Sequence, residues 1–213
     1  MNSTEKDIIS LADHAKTCSW LSGYGAVSEL IRLTNARSIL EVGVAYGYHA
    51  LHILDTCPEV EYLGLDPYVE NYDPDDQFSS DVSRLFPVMQ TSAVSGNQSM
   101  DRLHSAVVHT LQRTSKSARV ERTDLLNFSK QNRSHYFDLI YIDGNHTEDF
   151  VFSDTLLAAL HLTENGLICG DDIERVSVQS GLTKAAKILG IEPKLYKHRN
   201  GKFLWILKPE VNC

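Results

Sequence analysis

Residues 37–47 are RSILEVGVAYG, a short strand-like stretch that ends in a turn with two glycines. We predict a strand over 37–42, with a helix around 27–33 before it and another from about 48 to 55 after it. Glycine in such a turn permits positive φ and lets a bound ligand approach the backbone closely. The stretch therefore predicts the first strand of an α/β fold with a ligand site at its carboxyl end.

Strand-like and helical stretches alternate along the rest of the chain. Several strands are continuous apolar runs, as a parallel sheet covered on both faces requires. Near the end, Asn200-Gly201 lies between two short strands and is typical of an antiparallel hairpin whose turn needs positive φ at both central residues. We therefore predict an α/β fold with a Rossmann-like, doubly wound, mostly parallel seven-stranded sheet and a C-terminal antiparallel hairpin. The predicted strands are 37–42, 61–65, 118–122, 136–143, 166–170, 194–197 and 203–207, and further helices are predicted at 99–114, 150–161 and 179–189.

Length and composition indicate one domain. The chain has 213 residues, of which 42% are hydrophobic and 23% charged, enough for one substantial core. We treat residues 1–213 as a single domain, in which residues 1–16 include a short amphipathic helix. Residues 67–98, rich in Asp, Ser, Tyr and Pro, are predicted to be an insertion that is either a functional lid or a plain flexible loop.

Charge and hydropathy narrow the range of partners. A formal net charge of −8 disfavours a long phosphate-tracking surface, so we expect no nucleic-acid partner and a small-molecule substrate. The apolar runs fall well short of the roughly 20 residues of a membrane span, and the acids in residues 1–7 do not resemble a signal peptide. We expect no membrane association and a cytoplasmic location. A homodimer through the hairpin edge or the N-terminal helix is left open.

Three acidic side chains lie where they could hold a cofactor. Glu41 directly precedes Gly43 and Gly47; it would repel a pyrophosphate but suits an ammonium group such as that of S-adenosylmethionine (SAM). Asp66 ends the second predicted strand and could accept hydrogen bonds from ribose hydroxyls, and Asp124, just past the third, from an adenine amino group. Each acid alone could instead serve as a turn or helix cap. Their occurrence at successive strand ends favours the cofactor.

The residues from Glu41 to Leu51 follow the pattern Glu-x-Gly-x-x-x-Gly-Tyr-x-Ala-Leu. This pattern resembles the first motif of class I SAM-dependent methyltransferases, especially the small-molecule O-methyltransferases related to the catechol and caffeoyl-CoA enzymes. Residues 137–144, 166–168 and 171–172 are similar to the fourth and fifth strands of that group with their loops, and residues 143–146 resemble a broader bacterial family that includes sugar O-methyltransferases. The resemblance covers roughly residues 22–207 and implies SAM as cofactor and a small-molecule hydroxyl acceptor.

A second acidic group is predicted next to the cofactor. Asp143, Asp171 and Asp172 follow adjacent strands, and three converging carboxylates repel one another unless a hard cation such as Mg²⁺ binds between them. The resemblance also implies a metal held by Asp143 and Asp171. The metal-dependent O-methyltransferases, however, have an asparagine where this chain has Asp172. Alternatively, Asp171 or Asp172 caps a helix and Asp143 contacts only SAM.

Two histidines are candidates for roles in the site. His146 lies where the catechol-type enzymes have a lysine base, and a histidine of near-neutral pKa could take the proton of a substrate hydroxyl. It could also bind the metal or simply pack in a loop. His49 stands where the catechol-type pattern has a small hydroxyl residue that holds the SAM carboxylate, so we place it among the cofactor-binding residues.

Other functions are compatible with parts of the pattern. They are a metal-independent methyltransferase acting on nitrogen or on a macromolecule, an aminopropyl-transferring or nicotinamide-dependent enzyme, and a non-catalytic SAM-binding domain. The two-glycine turn disfavours a nicotinamide dinucleotide. The sequence does not identify the methyl acceptor.

Overall fold

The structure is a computed structural model that describes residues 3–18, 21, 24–74, 77–87, 98–132 and 134–208. Helices and strands alternate through most of this range. The helices are α1 (Ser3–Ala15), α2 (Gly25–Thr34), α3 (Tyr48–Thr56), α4 (Phe78–Leu85), α5 (Gln98–Thr114), α6 (Leu125–Gln131), α7 (Glu148–Leu160) and α8 (Val176–Leu189). The strands are β1 (Ser38–Val42), β2 (Glu61–Leu65), β3 (Arg119–Glu121), β4 (Phe137–Ile142), β5 (Leu162–Gly170), β6 (Lys194–Lys197) and β7 (Phe203–Leu207).

Within the described ranges the strands form one seven-stranded sheet in the order β3-β2-β1-β4-β5-β7-β6. The pairs from β3 to β5 are parallel, and β7 lies antiparallel between β5 and β6. The predicted Rossmann-like sheet with an antiparallel C-terminal hairpin is confirmed. The strand order reverses between β1 and β4, which is where open α/β sheets bind ligands.

Side chains of the central strands point alternately into two cores. Ile39 of β1 and Leu139 of β4 belong to the core that contains residues of α2, α3 and α5. Leu40 and Ile140, one position later, belong to the core that contains residues of α6, α7 and α8. Both faces of the sheet are therefore covered, as the continuous apolar strands predict, and the burial of apolar surface stabilises the sheet from both sides.

Some element boundaries differ from those predicted. β5 begins at Leu162 rather than Gly166, because the polar residues 163–165 conceal its start in a hydrophobic pattern. α7 and α8 also begin two or three residues earlier than predicted. The short helices α4 and α6 were not predicted, since seven or eight residues are too few to establish a helical period.

The hairpin between β6 and β7 has a different turn from the one expected. Asn200 and Gly201 were both predicted to have positive φ, but of the two only Gly201 does, at 91°. The Gly201 N–H donates to the carbonyl of His198 (2.9 Å), and the His198 N–H donates to the carbonyl of Lys202 (2.9 Å). The loop is therefore longer than a two-residue turn, and Lys202 lies at its end.

The structure describes residues 1–16 and the insertion 67–98 only in part. α1 confirms the amphipathic helix predicted within residues 1–16, and it packs against α5. The predicted insertion contains α4, whose Val82 is fully buried, whereas residues 75–76 and 88–97 lie outside the described residues. Among the described helices, none combines the length and apolar character that crossing a membrane requires.

Asp138 connects the beginnings of β1 and β4. Its carboxylate accepts hydrogen bonds from the backbone N–H groups of Arg37 (2.8 Å) and Ser38 (3.1 Å) and from the Thr163 hydroxyl (3.0 Å). Burial acts to raise the pKa of Asp138, but these hydrogen bonds outweigh it, so the pKa lies below the usual aspartate value. The ionised carboxylate therefore stabilises the sheet.

We expect Asp138→Asn to lower the free energy of unfolding at neutral pH by about 1 kcal/mol, because a charged hydrogen-bond acceptor is lost. A lowered folded-state pKa means that this contribution is present above the unfolded-state pKa of about 3.9 and is lost as the pH falls through the folded-state value. The stability difference between wild type and variant should therefore shrink below about pH 4. Urea unfolding over a pH series measures it, with the exposed Glu59→Gln as control. A difference that does not change with pH would contradict this account.

Candidate functional site

A cavity of about 510 Å³ opens at the carboxyl ends of the parallel strands. Its volume is within the range of roughly 300–1,000 Å³ that is usual for small-molecule sites. Among the described residues that line it, acids far outnumber the two strongly basic side chains, Arg175 and Lys202. The acids are Glu41, Asp66, Asp73, Asp81, Asp124, Asp143, Asp154, Asp171 and Asp172. Such a cavity favours a ligand that carries positive charge.

The two glycines of the turn after β1 lie in different surroundings. Gly43 has a φ of 92°, and a β-carbon there would overlap the carbonyl oxygen of Asp143. Gly47 has a φ of 72°, precedes α3 and faces Val107 of α5. Gly43 lines the cavity, whereas Gly47 is not among its lining residues. Gly43 therefore lets the backbone of Asp143 approach closely at the cavity wall, and Gly47 allows α3 and α5 to pack closely.

Asp66 holds the glycine turn in place. Its Oδ2 accepts hydrogen bonds from the N–H groups of Val44 (3.1 Å) and Ala45 (2.9 Å), and Oδ1 accepts one from Tyr68 (2.7 Å). Burial raises the pKa of Asp66 in spite of these bonds. Because a carboxylate oxygen has more than one lone pair, Asp66 can still accept hydrogen bonds from a ligand in the cavity it lines.

Glu41 lies in the cavity wall, only 1% exposed, between two partners. Its Oε1 is 2.8 Å from His49 Nδ1, and its Oε2 accepts a hydrogen bond from the Tyr62 hydroxyl. The His49 ring packs between Tyr24 and Tyr141, with centroid distances of 4.8 and 4.6 Å. The structure thus brings together, as a buried pair, two residues that the sequence predicts for cofactor binding.

Asp124 caps α6 and also lines the cavity. Its carboxylate accepts hydrogen bonds from the backbone N–H of Asn127 (2.7 Å) and from the Asn127 side-chain amide (3.0 Å). The capping alternative considered for Asp124 is therefore correct, and it does not remove the side chain from the cavity. Asp154 of α7 lines the same cavity, and its carboxyl group interacts electrostatically with Asp124.

Asp143, His146 and Asp172 form a cluster whose potential ligand atoms all lie within 4.8 Å of one another. His146 Nε2 is 3.0 Å from Asp172 Oδ2 and 3.6 Å from Asp143 Oδ1. The Asp143 oxygen is too distant for a hydrogen bond and the Asp172 oxygen lies off the line of the ring N–H, so among the described residues this buried nitrogen has ion-pair partners but no hydrogen-bond partner. An imidazole nitrogen and two carboxylates are a donor set that fits a divalent cation.

Asp171, a predicted metal ligand, has a different set of partners. Its carboxylate pairs with Lys202 of the hairpin loop, and its carbonyl oxygen accepts a hydrogen bond from Trp205 Nε1 (3.0 Å). Burial and the nearby charge of Asp143 raise the pKa of Asp171 to about 6, although Lys202 acts to lower it. The cluster that could bind a cation in this structure therefore contains His146 and not Asp171.

His146 is held by Asp73 from the insertion. Asp73 Oδ2 accepts a hydrogen bond from the His146 backbone N–H (2.9 Å) and lies 2.8 Å from Nδ1. Burial acts to lower the pKa of His146, but Asp143, Asp172 and Asp73 together outweigh it and raise the pKa to about 10. With these neighbours His146 is protonated at neutral pH. The near-neutral pKa that would suit a base is therefore not found in this environment, because three carboxylates surround the ring.

The insertion supplies one wall of the cavity. The side-chain amide of Asn145 donates to the Tyr72 carbonyl (2.5 Å), and the Tyr72 ring packs edge-on against Phe150 at 5.2 Å. Phe78 and Asp81 line the cavity on the same side. The described part of the insertion is therefore attached to the loop after β4, which also contains His146.

Sequence reasoning missed Asp73, Asp154 and Lys202 as residues of the cavity. Asp73 belongs to a polar stretch without periodicity, Asp154 lies inside a helix, and Lys202 follows a turn. None of them stands at the end of a parallel strand, which was the pattern used to find the other acids. Only the acidic character of residues 73–76 was visible in the sequence.

Solved O-methyltransferase structures have the same fold. TomG from Streptomyces achromogenes, solved with SAM, is 11% identical, with a TM-score of 0.60 over 99% of this chain and 91% of that one. An O-methyltransferase from Bacillus cereus, solved with S-adenosylhomocysteine (SAH), is 14% identical, with a TM-score of 0.52 over 98% and 91%. A proposed caffeoyl-CoA O-methyltransferase from Staphylococcus aureus is 16% identical, with a TM-score of 0.58 over 99% and 93%. At such low identity these similarities show the fold alone.

Sequence comparison identifies the family. No curated protein matches the chain. A family model described as a methyltransferase domain matches residues 40–173, which is more than half of the chain and extends from β1 to the acids after β5. The chain therefore belongs to this family of methyltransferase domains.

Proposed function

We propose that this methyltransferase transfers the methyl group of SAM to a hydroxyl oxygen of a small molecule, with a divalent cation at the reaction centre. The observation that carries the proposal is a single cavity that joins the acids after β3, β2 and β4, namely Asp124, Asp66 and Asp143. SAM has an adenine amino group, ribose hydroxyls and positive charge. These groups match the row of acids that follows β3, β2 and β4. The complexes of TomG with SAM and of the Bacillus cereus enzyme with SAH support this choice of cofactor.

The cofactor would lie across the strand ends with its adenine towards β3. Asp124 would accept from the adenine amino group and Asp66 from the ribose hydroxyls. Gly43 lines the cavity beside this path, and the buried pair of Glu41 and His49 would bind the ammonium and carboxylate of the methionine arm. This order places the methyl group near Asp143, at the boundary between β1 and β4.

Asp143 and Asp172 would hold the cation, because both carboxylates converge on His146 Nε2 without forming a hydrogen bond to it. A bound divalent cation supplies positive charge that fixes an acceptor oxygen and lowers the pKa of its hydroxyl. The third protein ligand is either Asp171, as the sequence predicts, or His146, as the cluster geometry favours. Carboxylate ligands suit Mg²⁺ and Mn²⁺, whereas an imidazole ligand suits Zn²⁺, Fe²⁺ and similar transition metals.

With Asp171 as the third ligand, His146 Nε2 stays free of the cation, and for this arrangement we propose that His146 takes the proton of the acceptor hydroxyl. Asp73 orients the ring through Nδ1, which leaves Nε2 directed at Asp143 and Asp172. Nε2 can accept a proton only when it carries none. A cation held by the surrounding carboxylates would therefore be needed to lower the pKa of His146. The aromatic rings of Tyr46 and Phe78, 5.0 Å apart, line the same cavity and favour a small organic acceptor.

Titration calorimetry with SAH tests the cofactor site. We expect wild type to bind SAH and Asp66→Ala to bind it at least about tenfold more weakly, since a charged hydrogen-bond acceptor is lost. Asp55→Ala, which removes an exposed carboxylate of α3, is the matched control and should bind like wild type. If wild type binds no SAH, the assignment of SAM fails.

Manganese titration, followed by calorimetry or electron paramagnetic resonance, tests the metal site. We expect Asp143→Asn and Asp172→Asn to lose Mn²⁺ binding, because each removes a negatively charged ligand. Loss in Asp171→Asn with retention in His146→Asn would support the ligand set predicted from sequence, and the reverse would support the cluster in the structure. Methyl transfer that continues unchanged in EDTA would instead favour a metal-independent enzyme.

Steady-state kinetics test the role of His146. Removing a general base costs about 10²–10⁴ in rate, so His146→Asn should reduce kcat by at least about a hundredfold while SAH affinity changes little. Asp73→Asn should show a smaller decrease, since it only orients the ring. The exposed His109→Asn on α5 is the control. Unchanged kcat in His146→Asn would exclude it as the base.

A further inference from the structure

Asp154 is a buried acid that the proposed chemistry does not use. It lies in α7, is only 7% exposed and lines the cavity. Asp66 and Asp124 accept hydrogen bonds from neighbouring N–H groups, but Asp154 accepts none from any described residue. A buried carboxyl group without a hydrogen-bond partner lowers stability, so its position at a cavity wall points to a ligand.

Asp154 lies at the end of the cavity where the adenine is expected. Its charged neighbour there is Asp124, which caps α6. Burial raises the pKa of Tyr72, and the charges of Asp124 and Asp154 raise it further, so the Tyr72 hydroxyl lies near both acids. Asp124 follows β3, the strand farthest in the parallel row from the Asp143 cluster. A cofactor spanning the row would therefore bring its base to Asp154 and its methyl group to Asp143.

The surroundings of Asp154 favour its neutral form. Burial, with a further contribution from the charge of Asp124, raises the pKa of Asp154 to about 7. Tyr72 from the insertion lies near Asp154, and Lys184 from α8 pairs with Glu148 at the exposed start of α7. Among the described residues, Asp124 is the charged group that acts on the pKa of Asp154. A neutral carboxylic acid both donates and accepts a hydrogen bond.

We propose that Asp154 recognises the adenine of the cofactor as a carboxylic acid, donating to ring N1 and accepting from the 6-amino group. This edge of adenine presents one acceptor next to one donor, which is the arrangement a protonated carboxyl group complements. Asp124, which is held by the Asn127 N–H groups, remains an acceptor only. The inference rests on the proposed function and adds a residue that determines cofactor specificity.

Binding of cofactor analogues tests this inference. Calorimetry would compare SAH with its 1-deaza analogue, which lacks the N1 acceptor, and with its 7-deaza analogue as the matched control. We expect wild type to bind the 1-deaza analogue roughly tenfold more weakly than SAH and the 7-deaza analogue about equally, since one hydrogen bond is lost. In Asp154→Leu, SAH should bind more weakly and the difference between the two analogues should disappear.

Asp154→Asn separates the neutral acid from the carboxylate. Asparagine keeps one donor and one acceptor, so this variant should retain the preference for SAH over the 1-deaza analogue. Wild-type affinity should decrease as the pH rises above about 7, whereas the affinity of Asp154→Asn should change less. A raised folded-state pKa also means that wild-type stability falls as the pH rises from about 4 to 7, and Asp154→Asn should lack this decrease.

The outcomes distinguish the inference from the proposed function. If wild type binds none of the three compounds, the proposed function fails and the inference with it. If wild type binds SAH and the 1-deaza analogue equally, or Asp154→Leu keeps the wild-type preference, only the role of Asp154 fails. Weaker binding of the 7-deaza analogue alone would place Asp154 at the other edge of the base and overturn the assignment to N1. If both variants unfold more readily than wild type at every pH and bind all three compounds as wild type does, Asp154 is structural.

Discussion

The close approach of the backbones at Gly43 and Asp143 determines the geometry of the cavity. The Gly43 N–H donates to the carbonyl of Leu65 and the Asp143 N–H donates to that of Val42, each at 2.8 Å, so the hydrogen bonding of the sheet continues to the last residues of the strands. Beyond this point β1 and β4 continue into separate connections, and the crevice opens between them. Only glycine fits at residue 43, because a side chain would overlap the neighbouring carbonyl.

Most acids of the cavity have a protein partner that fixes them. Amide groups hold Asp66 and Asp124, Lys202 pairs with Asp171, and the pair of His49 and Tyr62 holds Glu41. These acids are positioned before any ligand arrives, which reduces the entropy lost on binding. The acids with fewer protein partners, Asp143 and Asp154, lie towards opposite ends of the proposed cofactor path. The two acids with fewer protein partners thus lie where the adenine and the methyl group of the cofactor are proposed to bind.

The sequence predicted the parts of the structure that depend on local pattern. The strand and glycine turn of residues 37–47, the mostly parallel sheet and the hairpin follow from hydrophobic runs and glycine positions, and acids at strand ends were placed correctly around one cavity. Contacts between distant segments could not be predicted in this way. Asp73 reaches His146 from a stretch without periodicity, and the pKa of His146 depends on charges brought together only by folding. The partner of Asp171 lies 31 positions later in the chain, so its pairing with Lys202 left no local signal either.

The attachment of the hairpin to Asp171 has a consequence for the order in which the enzyme forms. β7 inserts between β5 and β6, and Trp205 and Lys202 contact Asp171 from the last described strand and the loop before it. During synthesis on the ribosome, residues 1–173 emerge first and contain the glycine turn and the cluster of Asp143, His146 and Asp172. Until β7 pairs with β5, Asp171 has neither of these partners and the edge of β5 is unpaired. In a nascent chain, Asp171 would therefore be fixed beside the cluster of Asp143, His146 and Asp172 only after β7 has been synthesised. Formation of the site is in this way coupled to synthesis of the last described strand of the sheet.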